Sequence, residues 1–146
     1  MTMAPRYFYL SDDMNPEQLL AAMNGLGNLQ ALPPENLLRT YFDTFDWRLH
    51  AAGGYLLEEQ QPHQIRTCWR RIADHQLLGQ IMLATPRYPA QLPPGFLRDS
   101  LARLADMRTL LPVARLQLLV VHAALFNNEC KTILRCTVEK GKTVGD

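Results

Sequence analysis

Any chemistry in this chain must come from its arginines and carboxylates. Of fifteen basic residues twelve are Arg and three are Lys. The planar guanidinium fork suits bidentate contact with phosphate, although a GC-rich genome produces the same bias. Placement in strands narrows the candidates, because successive side chains point to opposite faces. Arg66, Cys68, Arg70 and Ile72 share one face of a strand expected over 65–73, which makes Arg66 and Arg70 a basic pair. Arg39, Tyr41 and Asp43 share a face of an earlier strand. In the last expected strand, 131–139, Lys131, Ile133, Arg135, Thr137 and Glu139 form a mostly polar face opposite Thr132, Leu134, Cys136 and Val138. Such rows suit the wall of an anion site, and any half-exposed sheet alternates in the same way.

Other site chemistries find little support. The four histidines (His50, His63, His75 and His122) lack metal-ligand spacing, so hydrogen-bonded structural roles are expected for them. There is no Gly-rich phosphate loop, Ser-His-Asp arrangement or zinc pattern. The structural reading assigns Asp43 to a helix cap, Tyr41 to the core, Asp12 and Asp13 to a turn and helix entry, and Glu58 and Glu59 to a solvated strand end. Cys68, Cys130 and Cys136 are odd in number and form no C-x-x-C. Cys130 and Cys136 sit about 20 Å apart along an extended strand, too far to bridge. Free thiols in a cytoplasmic protein are the expectation.

A net charge of +1 gives no whole-molecule footprint for nucleic acid or an acidic membrane. The start of the chain lacks a signal peptide's apolar segment. The most apolar run, 116–126, is broken by Gln117 and His122 and is too short to span a bilayer.

The elements that must position these residues follow in order. Residues 6–10 read as a first strand. Asn15-Pro16-Glu17-Gln18 opens a helix with a cap, a proline at the first position and an acid in the first turn. Leu19, Leu20 and Met23 form its stripe and Gly25 its stop; a loop follows over 26–34. At 39–59 the chain reads as a corner. A β-branched and aromatic strand leads to a short helix over 45–52 capped by Asp43, Thr44 or Asp46. Gly53-Gly54 then stops the helix, and Trp47 is expected to pack the corner against the sheet. A polar turn at 60–64 precedes the strand at 65–73, a turn at 74–76 and a strand at 78–84. A Pro-rich loop fills 85–95. Phe96, Leu97, Ser100, Leu101 and Leu104 mark a second main helix. The strand over 114–126 is apolar on both faces, which implies cover on both sides or an interface. A tail expected to fray covers 140–146. The order implies one α+β domain over 1–146 with a mainly antiparallel sheet.

Tyr41-Phe42-Asp43-Thr44, Asp46-Trp47-Arg48-Leu49 and Ala52-Gly53-Gly54 resemble the signature of CYTH domains, the triphosphate tunnel metalloenzyme superfamily. The stretches Pro86-Arg87-Tyr88 through Gly95, Met107 through Pro112 and Lys131 through Glu139 are similar to the subgroup in which a CYTH domain precedes a helical CHAD domain. The resemblance implies a tunnel of antiparallel strands, here an incomplete barrel without the family's C-terminal strands, and hence a homodimer or swapped assembly. It also implies lumen residues: Arg39, Arg66, Arg70, Lys131 and Arg135 toward phosphate, and Glu139 toward Mg²⁺ or Mn²⁺.

The family's hallmark is altered, however. Matching Tyr7-Phe8-Tyr9-Leu10 to its Lys-Phe-x-Leu puts Met3 and Pro5 where the two glutamates of Glu-x-Glu-x-Lys lie. Leu56-Leu57-Glu58-Glu59 stands where Arg-x-Arg is usual, and Leu119 and Val121 are poor lining for a triphosphate lumen. The expected function is a degenerate, non-catalytic module that binds polyphosphate-type or triphosphate-type anions or assists a CHAD domain. The alternative is a divalent-metal-dependent triphosphatase or adenylate-cyclase-like enzyme.

Overall fold

A computed structural model of the chain describes residues 6–11 and 13–145. The expected acidic-motif positions Met3 and Pro5, and Asp12, lie outside the described residues. The fold is α+β with mainly antiparallel strands, two main helices and a short corner helix. Its elements are α1 (Pro16–Asn24), β1 (Asn28–Ala31), β2 (Glu35–Asp43), α2 (Arg48–Ala51), β3 (Gly54–Gln60), β4 (Ile65–Arg71), β5 (Leu77–Ile81), α3 (Phe96–Ala105), β6 (Leu111–Phe126) and β7 (Thr132–Thr143), with a 3-10 turn at Pro89–Gln91. The chain divides into two compact units, one built on Leu38–Gln117 and the other on Tyr7–Leu37 with Leu118–Lys142.

In the first unit β2, β3, β4 and β5 form an antiparallel meander in chain order. The polar turn sits where the sequence put it, with the Gln61 N–H donating to the Gln64 carbonyl at 2.9 Å. One face of the meander is apolar. Leu56 and Trp69 meet Leu49 of α2, Leu97 and Leu101 of α3, and Leu92 and Leu110 from the flanking loops. Leu97, Leu101 and Ala105 are buried at four-residue intervals along α3, the spacing that puts a stripe on one side of a helix.

The corner is built around Asp43. Its Oδ1 accepts from the backbone N–H of Thr44 (2.7 Å) and Leu49 (2.9 Å), and its Oδ2 accepts from that of His50 (3.1 Å). Thr44 Oγ1 accepts from the Arg48 N–H at 3.0 Å and donates to Asp46 Oδ1 at 2.8 Å. Asp43 and Thr44 therefore cap the open amides, while Asp46 accepts from the Thr44 hydroxyl and the Arg48 side chain. Gly53 stops the helix at φ +83°, a left-handed backbone that favours glycine.

Trp47 departs from expectation. Its φ of 58° turns the chain at the helix start and leaves the residue 55% exposed. The tryptophan that packs the corner is Trp69, lying against Gly54: a Cβ there would sit 2.1 Å from the indole.

In the second unit Asn15 and Gln18 cap α1 reciprocally: Asn15 Oδ1 accepts from the Gln18 N–H (2.8 Å) and Gln18 Oε1 from the Asn15 N–H (3.0 Å). Residues 6–10, expected as a strand, have no regular structure, and Phe8 and Tyr9 are exposed. Strand composition has no effect without a partner to complete the ladder. The converse holds at β1. Asn28–Ala31, expected as loop, pairs with β6 from Asn28 opposite Phe126 to Ala31 opposite Ala123. Likewise 140–143, expected to fray, belongs to β7. Strand β6 is not covered evenly on both faces: Leu118 and Val120 are buried while Leu119 between them is exposed.

Candidate functional site

The central strand of the site is β3. Its register places Glu59 opposite Arg39 of β2 and also opposite Arg66 of β4, so the three charged side chains form one row across three strands. Each guanidinium grips one carboxylate oxygen. Arg39 donates to Oε2 from Nε (3.1 Å) and Nη2 (2.7 Å), and Arg66 donates to Oε1 from Nε (3.1 Å) and Nη2 (2.7 Å). Glu59 is only 6% exposed, which corrects the expectation of a solvated strand end. Burial alone would push its carboxyl up, but Arg39 and then Arg66 outweigh that and hold it below the usual glutamate value. Two cations around one anion leave the row at +1, and a buried charge of this kind persists only when paired in this way.

Glu58, on the opposite face, is not at a solvated end either: its Oε1 accepts from the Thr85 N–H at 2.7 Å. Arg70 lies on the same strand face as Arg66 but serves a turn, donating from Nη1 to the His75 carbonyl at 2.8 Å. His75 Nδ1 in turn bonds the Tyr55 hydroxyl at 2.8 Å, and the Tyr55 ring tilts against Tyr41 at 6.2 Å between centroids. Cys68, between Arg66 and Arg70, is fully buried, and burial pushes its thiol up, away from the reactive thiolate.

Lys131, Arg135 and Glu139 belong to the second unit. All three are exposed. Lys131 precedes β7 and makes a loose ion pair with Glu129 at 3.6 Å, both side chains about three-quarters exposed (76% and 75%). His122 has the structural role expected of it, with Nδ1 3.0 Å from Thr137 Oγ1. The three cysteines are free.

The donor set does not suit Mg²⁺ or Mn²⁺. Among the described residues no group of three or more His, Cys, Asp or Glu side chains could hold a metal ion. Glu59 is engaged by two guanidiniums and Glu58 by a backbone amide, whereas these cations need several oxygen ligands at one point.

Comparison with protein families and with curated proteins found no match. Strand parity found Arg39 and Arg66 but missed the acid between them. The signal was present in the turn: with Gln61 bonded to Gln64, counting back two positions sets Glu59 against Arg66.

Proposed function

We propose that this chain is a degenerate CYTH-like module without catalytic activity, acting as an accessory domain beside a CHAD-type helical partner. One observation carries the reading: Glu59 occupies the Nε–Nη2 edges of both Arg39 and Arg66. Those edges are what a phosphate chain would need for bidentate contact, and a competing anion must displace a buried carboxylate to reach them. Among the described residues no acid cluster could hold a cation, and a triphosphatase or cyclase requires one to neutralise charge developing on phosphate, which supports the same reading.

A second reading, weak retention of a polyphosphate-type anion, draws on the residual +1 of the row and on Arg70, two same-face positions beyond Arg66 and past Cys68. The free thiols support a reducing, cytoplasmic setting. Among the described residues no helix is long and apolar enough to cross a membrane.

Phosphate release from tripolyphosphate and ATP with Mg²⁺ or Mn²⁺ tests the first reading, with none expected above background. Turnover abolished by Arg66→Ala would refute it. Titration calorimetry with tripolyphosphate tests the second, and heat no greater than dilution removes it.

A further inference from the structure

Strand β7 pairs with β6 and with no other strand among the described residues. Among the described residues one of its edges is therefore left without a ladder. It is a long edge, Thr132–Thr143, and exposed along most of its length, with Ile133 and Leu134 55% and 47% exposed. Natural sheets blunt or cover such an edge. Neither proline nor a helix of described residues interrupts Thr132–Lys142.

The charge order along the strand says what fits there. Two copies of one strand can pair antiparallel about a dyad at any residue, and each choice sets different side chains opposite each other. A dyad at Thr137 sets Arg135 against the second copy's Glu139, and Glu139 against its Arg135. It sets Leu134 against Lys140, Thr132 against Lys142 and Cys136 against Val138, with no like charges opposed. It also engages the strand from Thr132 to Lys142, nearly its full extent. Moving the dyad to Arg135 or to Glu139 keeps side chains on the same faces but sets Arg against Arg or Glu against Glu. Like charges directly opposite are destabilising in a sheet and opposite charges stabilising. We propose that a second copy of this chain docks on the β7 edge by antiparallel pairing centred on Thr137, with Arg135 and Glu139 exchanged across the dyad.

This inference stands on β7 alone and is independent of the CYTH-like reading. Its test is the oligomeric state of the full chain by sedimentation equilibrium, with charge variants. Wild type is expected to be dimeric. Arg135→Glu or Glu139→Arg alone places like charges opposite each other twice per dimer, which should raise the dissociation constant roughly tenfold. The double variant Arg135→Glu/Glu139→Arg reverses both ends and should restore wild-type dimerisation. In a Cys130→Ser/Cys136→Ser background, Thr137→Cys should oxidise readily to a disulfide-linked dimer, because dyad-related residues lie within bridging distance. A monomeric wild type overturns the proposal. So does a dimer that tolerates either single reversal, or one that the double variant fails to restore.

Discussion

Replacing Glu59 with Gln is the sharpest perturbation of the first unit, because it keeps volume and removes only charge and one acceptor. In the native row four N–H donors converge on two carboxylate oxygens, at 2.7 and 3.1 Å from each arginine. The amide of Gln can satisfy one guanidinium through its oxygen, but its NH₂ then faces the donors of the other. The two arginines differ in their escape. The Arg66 side chain is 35% exposed and can rehydrate, whereas that of Arg39 is 14% exposed and cannot do so without moving. Breaking a buried pair costs about 3–5 kcal/mol; with one acceptor retained and one partner able to reach water, about 2–4 kcal/mol is expected at neutral pH. That corresponds to roughly 6–12 °C in Tm for a chain of this size.

The pH dependence supplies an independent check. The carboxyl of Glu59 is lowered below its ordinary value of 4.5 in the folded protein, so the unfolded chain binds this proton more readily. The stabilisation is then fully present above about pH 4.5 and is lost as pH falls through the folded value. Urea denaturation between pH 3 and 7 should show a shallower acid limb in the Gln variant than in wild type. A loss below about 0.5 kcal/mol at pH 7, or identical acid limbs, would refute the idea that the row is a buried, mutually dependent charge cluster. A companion variant with Leu at 39, 59 and 66 together should fare better than Glu59→Gln, since removing all partners leaves no orphaned charge.

Three further outcomes are expected. Gly54→Ala drives a methyl into the Trp69 ring, where the Cβ would sit 2.1 Å from the indole, and should cost at least about 2 kcal/mol. Gly53→Ala next door meets open space and pays only for its φ of +83°, about 1 kcal/mol; equal losses by urea denaturation would contradict this. Asp43→Ala removes the acceptor of three backbone N–H groups at a buried position and should lose about 2 kcal/mol, with hydrogen exchange accelerating first at Leu49 and His50. Leu101→Ala empties a fully buried site between α3 and the sheet and should cost about 2–5 kcal/mol; a chemical-denaturation loss under 1 kcal/mol would mean the helix is not seated there.

What could be read from the sequence was local. Asn15-Pro16-Glu17-Gln18, Asp43 with Thr44, and Gly53 each announce a backbone need met within a few residues, and each stands where its chemistry required. The misread strands have one physical source, partners distant in sequence. Residues 6–10 look more like a strand than Asn28–Ala31, yet only the latter has a ladder, supplied by residues almost a hundred positions later. Trp47 and Trp69 are equally apolar, and the choice of core tryptophan rests on Gly54, whose missing side chain makes room for one ring only.

The candidate site turns on the same distinction. Alternation placed Arg39 and Arg66 on usable faces, but whether an arginine is a ligand group or a structural one depends on what register sets beside it. Here β3 brings a glutamate between them, from positions 20 and 7 residues away along the chain. Guanidiniums facing an open space would remain available to an external anion; the same groups facing Glu59 already have their anion, built into the sheet. Conversion between these conditions needs only the loss of that carboxylate. An Arg-rich strand pair is therefore evidence for anion binding only after the residue on the strand between them has been identified.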